Sequence, residues 1–201
     1  MQAPIDNPPS PASKLTVAIQ AGGKSTRMGR DKSFVPFQGR PMIEAVRDHV
    51  AGLGDELIII TNDPAPYAYL GLPAFGDIYP DCGPLGGIHS ALVNASYAHV
   101  LMVACDMPWL NRDLLQYLLK LRTTADIIVP RWDKFPEPLH AVYSKACLEP
   151  VTKRIEAGDL KIIRFYSDVT VRFVDREEII QFDPEGRSFT NINRPQDLPS
   201  F

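Results

Sequence analysis

Gly22 and Gly23 interrupt the chain directly after an apolar run. The nine residues that follow them carry Lys24, Arg27, Arg30 and Lys32 against a single carboxylate, Asp31. Four cations and one anion leave a local excess of three positive charges, in a chain whose formal net charge is −3. Glycines have no Cβ, so backbone N–H groups beside them can approach an anion closely. Lysine and arginine just beyond can neutralise phosphate oxygens. This is the chemistry of a polyphosphate cradle. The same composition also fits a solvated basic turn, and glycines and charges alone leave both readings open.

Two common phosphate loops are excluded by spacing. Gly23-Lys24-Ser25 supplies the tail of G-x-x-x-x-G-K-[ST], but Ala18 stands where the first glycine must be. The dinucleotide fingerprint G-x-G-x-x-G is absent, because Gly22 and Gly23 are adjacent and the next glycine is Gly29.

Asp106 is the strongest single chemical signal, since it follows the apolar run at 99–104 almost at once. A carboxylate facing a phosphate cradle repels it unless a hard cation lies between them. Mg²⁺ takes carboxylate and phosphate oxygens together. The alternative is a helix cap, for which Asn111 is better placed. Gly83-Pro84-Leu85-Gly86-Gly87 stands before a helical stretch and fits either exposed N–H groups or a stiff turn. Asn191 and Asn193 alternate across Ile192, so an extended backbone points both amides one way. Such a pair suits an oxygen-rich ligand, and equally an Asn-rich turn. His140 has no partner at metal-ligand spacing and reads as structural.

The elements that position these residues follow from apolar patterning. Residues 15–19, 56–61, 99–104, 126–130 and 171–174 read as strands, and the segment after Pro138 as another. The run Leu57-Ile58-Ile59-Ile60 suits a strand buried on both faces, as in a parallel sheet. Residues 41–51, 88–96, 111–122, 145–156 and 159–166 read as helices. Strand, helix and second buried strand make a βαβ unit, so the class is α/β with a mostly parallel sheet. Ligands of such sheets bind beyond the carboxyl ends of the strands. That puts residues 22–32, Thr61, Asn62 and Asp106 on one edge.

Length and composition bound the rest. The chain has 201 residues, enough for one domain with a full core. Hydrophobic content of 45% and charge of 22% are those of a globular protein. Slight acidity argues against a nucleic-acid partner. Cys82, Cys105 and Cys147 have unrelated spacings and read as reduced thiols of a cytoplasmic protein. No apolar run approaches the roughly 20 residues of a membrane span. Pro4, Pro8, Pro9 and Pro11 mark residues 1–13 as a flexible tail, with 14–201 as the single domain.

The whole string Ala21-Gly22-Gly23-Lys24-Ser25-Thr26-Arg27-Met28-Gly29-Arg30-Asp31-Lys32 resembles the signature loop of nucleotidyltransferases with the nucleotide-diphospho-sugar transferase fold, a three-layer Rossmann-like architecture. Its Arg-Met-Gly-x-Asp-Lys ending resembles one branch, the molybdenum cofactor guanylyltransferases, also called molybdopterin-guanine dinucleotide biosynthesis protein A. Asp106-Met107-Pro108 looks like the family's metal-binding signature, Gly83-Pro84-Leu85 its guanine-side loop, Pro138-Leu139 onward its Pro-Leu-x-Ala-x-Tyr strand, and Asn191-Ile192-Asn193-Arg194-Pro195 its terminal motif. The related cytidylyltransferases differ at the guanine-side loop, which favours GTP over CTP.

The resemblance implies transfer of GMP from GTP to the phosphate of molybdenum-bearing molybdopterin, with release of pyrophosphate. It implies Mg²⁺ on Asp106, and phosphate neutralisation by Lys32 and Arg27. Nucleotide contacts fall on Gln20, Ala21, Gly22, Gly23, Lys32, Asn62, Asp77, Gly83, Pro84, Leu85 and Asp106. Glutamine replaces the commoner leucine at position 20. Asp81 rivals Asp77, and Thr61 rivals Asn62. Asn191 and Asn193 fall to the acceptor side. A monomer is expected, with molybdoenzyme-specific chaperones or other cofactor-biosynthesis proteins as partners. Two rivals remain: a same-fold transferase using CTP or a sugar phosphate, and a non-catalytic GTP or cofactor carrier.

Overall fold

The computed structural model describes residues 14–22 and 31–192. The expected tail at 1–13 lies outside them. β1 (Thr16–Gln20) leads, after the loop, to a hairpin of β2 (Pro36–Phe37) and β3 (Arg40–Pro41). α1 (Met42–Val50), β4 (Glu56–Ile60) and the short β5 (Ala74–Phe75) come next. α2 (Gly83–Asn94), β6 (His99–Ala104) and α3 (Arg112–Leu121) complete the first half. The remainder is β7 (Ile127–Arg131), β8 (His140–Ser144), α4 (Leu148–Glu156), β9 (Val171–Asp175) and α5 (Arg176–Ile179).

Among the described residues the main sheet has seven strands in the order β5-β4-β1-β6-β8-β7-β9. β1 is parallel to β4 and β6, β4 to β5, and β7 to β9. β8 runs antiparallel to both β6 and β7. The mostly parallel sheet expected from the apolar runs is therefore present, with one reversal.

Alternation along the strands divides the core into two. Val17, Ile19, Leu101 and Val103 face α1 and α3 through Ile43, Val46, Leu114 and Leu118. Ala18, Ile58, Val100 and Met102 face α2 and α4 through Ile88, Leu92, Val151 and Ile155. Helices cover both faces, so the inner strands carry apolar residues on each side and read as continuous runs. Asn111 caps α3, its side chain accepting the Leu114 N–H at 3.0 Å. This is the cap expected from the sequence, and it leaves Asp106 without that role.

The amino-terminal ends of these strands are pinned by Glu56. Its carboxylate accepts the Thr16 hydroxyl at 2.6 Å, the Ser96 N–H at 2.8 Å and the Ser96 hydroxyl at 2.7 Å. Burial alone would raise its pKa, but the Ser96 amide, the two hydroxyls and Lys145 outweigh burial and lower it from 4.5. A depressed folded value contributes stability above the unfolded value, and that contribution is lost as pH falls through the folded one. Glu56→Gln is therefore expected to destabilise the fold by about 1–2 kcal/mol at neutral pH. Thermal unfolding of both proteins should show the gap closing as the pH falls below the ordinary carboxylate range.

Candidate active site

The register of the three central strands builds the site. Gln20 stands opposite Ile60 on one side and Ala104 on the other, so β1, β4 and β6 end level. The Ala21 N–H donates to Ile60 O at 2.9 Å, and the Cys105 N–H to Gln20 O at 3.0 Å. Gly22, Asn62 and Asp106 then leave the sheet along one rim.

Gly22 has φ +92°, a conformation that favours glycine, and a Cβ there would lie 3.3 Å from Thr61 Oγ1. Gly23 and Arg27, with the other cations up to Arg30, lie outside the described residues. The chain re-enters at Asp31, whose side chain caps a 3-10 turn, Lys32–Phe34, by accepting the Ser33 N–H at 2.9 Å. Lys32 opens that turn, half-buried.

Asp106 is partly buried behind β6. Burial raises its carboxyl pKa, and the Lys32 ammonium nearby draws it back down without cancelling the shift. Lys32 therefore lies close enough to Asp106 for the two charges to act on each other. The thiol of Cys105 beside it is pushed up to about 12, by burial first and then by Asp106. It stays a neutral thiol at pH 7, and not a nucleophile.

Asn62 and Asp77 interlock. The Asn62 amide donates to Asp77 Oδ2 at 2.8 Å, and the Asp77 N–H donates to Asn62 Oδ1 at 2.7 Å. This pairs Asp77 with the end of β4. Asp81 lies beyond in a turn with φ 61°. Thr61 is buried, with its Oγ1 3.3 Å from the Asp63 N–H, which leaves Asn62 as the exposed side chain of the two.

Gly83, Pro84 and Leu85 form the first turn of α2, which begins five residues before the expected start at 88. Proline is tolerated there because its missing N–H has no partner in a first turn. The glycines that follow are needed for closeness. A Cβ on Gly87 would sit 2.1 Å from Gln20 Nε2, and one on Gly86 would meet Tyr79 O at 3.1 Å. The unusual Gln20 thus lies flat against the backbone of α2. The first turns of α2, where the helix dipole is positive, therefore lie beside Gln20 and Asp77.

The Ile192 N–H donates to Asp106 O at 2.9 Å, which brings exposed Asn191 beside the rim. Asn193 lies outside the described residues. His140 is fully buried on β8 against Phe189, ring centroids 5.0 Å apart. Burial drives it down to about 4 against the pull of Asp183, so it is neutral at pH 7. Its placement matches the structural reading.

Sequence reasoning missed Tyr67. This residue is 1% exposed, and its hydroxyl donates to Asp31 Oδ2 at 2.5 Å. It sits in a 3-10 segment, Ala65–Leu70, without periodicity, so no local signal marks it. A cavity of about 350 Å³ opens elsewhere, between the β2–β3 hairpin, α1 and residues 108–111. None of Gly22, Lys32, Asn62, Asp77 or Asp106 lines it.

Among the described residues no group of three His, Cys, Asp or Glu side chains could enclose a metal ion. A lone half-buried carboxylate instead fits a cation shared with substrate phosphates, the usual arrangement for Mg²⁺. Nor is any helix among them long and apolar enough to cross a membrane.

The model of the MobA-like NTP transferase domain matches residues 17–170. A probable molybdenum cofactor guanylyltransferase of Clostridium perfringens (strain 13 / Type A) is 37% identical over 187 residues, covering 90% of this chain and 92% of the relative. A molybdenum cofactor guanylyltransferase of Desulfosudis oleivorans is 33% identical over 186 residues, with 92% of each covered. The crystal structure of molybdopterin-guanine dinucleotide biosynthesis protein A from Archaeoglobus fulgidus superposes with a TM-score of 0.78 at 28% identity, over 90% of this chain and 94% of that one. With a matched domain spanning both Lys32 and Asp106, and relatives alike along nearly their whole length, the chain belongs to the MobA-like NTP transferase family.

Proposed function

We propose that this protein is a molybdenum cofactor guanylyltransferase. It transfers GMP from GTP to the terminal phosphate of molybdenum-bearing molybdopterin. A phosphate oxygen of the acceptor forms the new bond to the α-phosphorus, the bond from that phosphorus to the β-phosphate oxygen breaks, and pyrophosphate leaves. The observation that carries this reading is a carboxylate just beyond the end of β6, Asp106, that feels the Lys32 ammonium of the first strand's loop. The relatives' names supply the guanine nucleotide and the molybdenum cofactor.

The nucleophile is already anionic at pH 7, so no Ser, Cys or His need be activated. The barrier is repulsion between two phosphates, and positioning with charge neutralisation is what lowers it. Lys32 and Arg27 neutralise the triphosphate and the departing pyrophosphate. Gly22 and Gly23 let the backbone approach the phosphates. The first turn of α2 holds the guanine through Gly83, Pro84 and Leu85. Gln20, Ala21, Asn62 and Asp77 line the nucleoside. Asn191 and Asn193 belong to the acceptor side. Asp106 would hold Mg²⁺, which when bound supplies a positive centre for the α-phosphate oxygens.

The test is release of pyrophosphate by the purified protein with Mg²⁺. It is expected only when GTP and molybdopterin are both present. Equal release with CTP would overturn the base assignment, and GTP binding without release would make the protein a carrier.

A further inference from the structure

A buried polar cluster underlies the rim, built from side chains to which the proposed chemistry gives no role. Tyr67 comes from the segment after β4, Asp31 and Ser33 from the end of the glycine-rich loop, and Cys105 from the residue after β6. The Tyr67 hydroxyl donates to Asp31 Oδ2 at 2.5 Å and is 2.8 Å from Ser33 Oγ. Ser33 in turn donates to Cys105 Sγ at 3.1 Å. Asp31 Oδ1 holds the Ser33 N–H at 2.9 Å. The Gly22 amide lies close enough to the Cys105 thiol to favour its ionised form. Both stems of the loop therefore converge on Cys105, next to Asp106.

The residues that Tyr67 grips are the two that flank Lys32. A lysine side chain is long and flexible, with about 2 kcal/mol of rotamer entropy. Where its ammonium stands is set first by how firmly its backbone is held. Ser33 and Tyr67 are 0% and 1% exposed, so their end of this grip is shielded from water, while Asp31 is half-buried. Burial and the Asp31 carboxylate raise the Tyr67 pKa far above neutrality, so its proton is always present for Asp31. The ring packs on Phe34, centroids 5.0 Å apart, which holds the hydroxyl in place without help from the ligand.

We propose that Tyr67 is a positioning residue for guanylyl transfer: by bonding the residues on both sides of Lys32, it fixes the lysine opposite Asp106. This rests on the guanylyltransferase reading of the rim.

Tyr67→Phe keeps the ring and removes only the hydroxyl. The expected result is a fall in kcat of about 10–100-fold, on the scale of a misplaced charge in an active site. Amide hydrogen exchange at residues 31–34 is expected to accelerate at least ~10-fold, without a matching change in β1 or β6. A cycle of GTP affinities separates positioning from general loosening. In a Lys32→Ala background, Tyr67→Phe is expected to weaken GTP binding no further, because the residue it places is gone. Independent losses that multiply would overturn the proposal. So would unchanged exchange at 31–34, which needs neither ligand nor turnover. Ser33→Ala is the second variant, expected to accelerate exchange in the same four residues. If wild type turns over and Tyr67→Phe matches it, the positioning role fails alone. If wild type releases no pyrophosphate, the guanylyltransferase reading fails, while the exchange result still decides whether Tyr67 holds the Lys32 segment.

Discussion

Asp106→Asn is expected to reduce kcat by about 10³-fold or more while leaving the protein as stable as before, or slightly more so. The substitution keeps the shape and removes the charge. In the native fold that charge is costly, because burial disfavours the ionised carboxylate and the Lys32 ammonium only partly offsets this. Removing a buried charge that is incompletely compensated does not weaken a fold. In the reaction the same charge is what a cation shared with the triphosphate would require, and losing that electrostatic stabilisation is worth several kcal/mol. Pyrophosphate release and a thermal scan on the same preparation test both halves. Turnover within tenfold of wild type would remove Asp106 from the chemistry.

Lys32→Ala is the second large effect. It is expected to lower kcat/KM for GTP by about 10²–10³-fold, the loss of one well-placed positive charge in a confined site. Part of the loss should fall on kcat, since charge on the leaving pyrophosphate develops as the bond breaks. The change should lie mostly in KM only if Lys32 holds ground-state GTP and nothing more. Unchanged kcat and KM would exclude Lys32 from the site. Replacement by arginine is not a rescue by default, because a flat guanidinium is larger than an ammonium and Lys32 is half-buried.

The rim was legible in the sequence because it is written in local signals. Runs such as Leu57 to Ile60 are buried from both faces and announce a parallel strand. A polar residue two positions beyond the end of each run then marks the carboxyl edge, as Asn62 and Asp106 do. What stayed hidden depends on contacts across the chain. Gly83 to Gly87 read as a loop because glycine and proline interrupt helices, yet they open α2. Their smallness answers to Gln20 and Tyr79, far away in sequence. The reversal of β8 between β6 and β7 leaves no local trace, since antiparallel and parallel strands with both faces covered have the same composition. β5, two residues long, is too short to show a period. Tyr67 was missed for the same reason. A tyrosine after a strand gains its meaning only from the Asp31 carboxylate 36 positions earlier.

The placement of β1 has a consequence for how the molecule is made. Among the described residues the first strand in chain order is an interior one, flanked by strands that finish at Ile60 and Ala104. A ribosome-bound chain that has not yet released Ala104 leaves one long edge of β1 open, with Val17 and Ile19 exposed beside unpaired backbone groups. Such an edge is a template for wrong pairing. Chains stalled or truncated before β6 are therefore the aggregation hazard of this protein, and those that have released it are closed on both sides of β1.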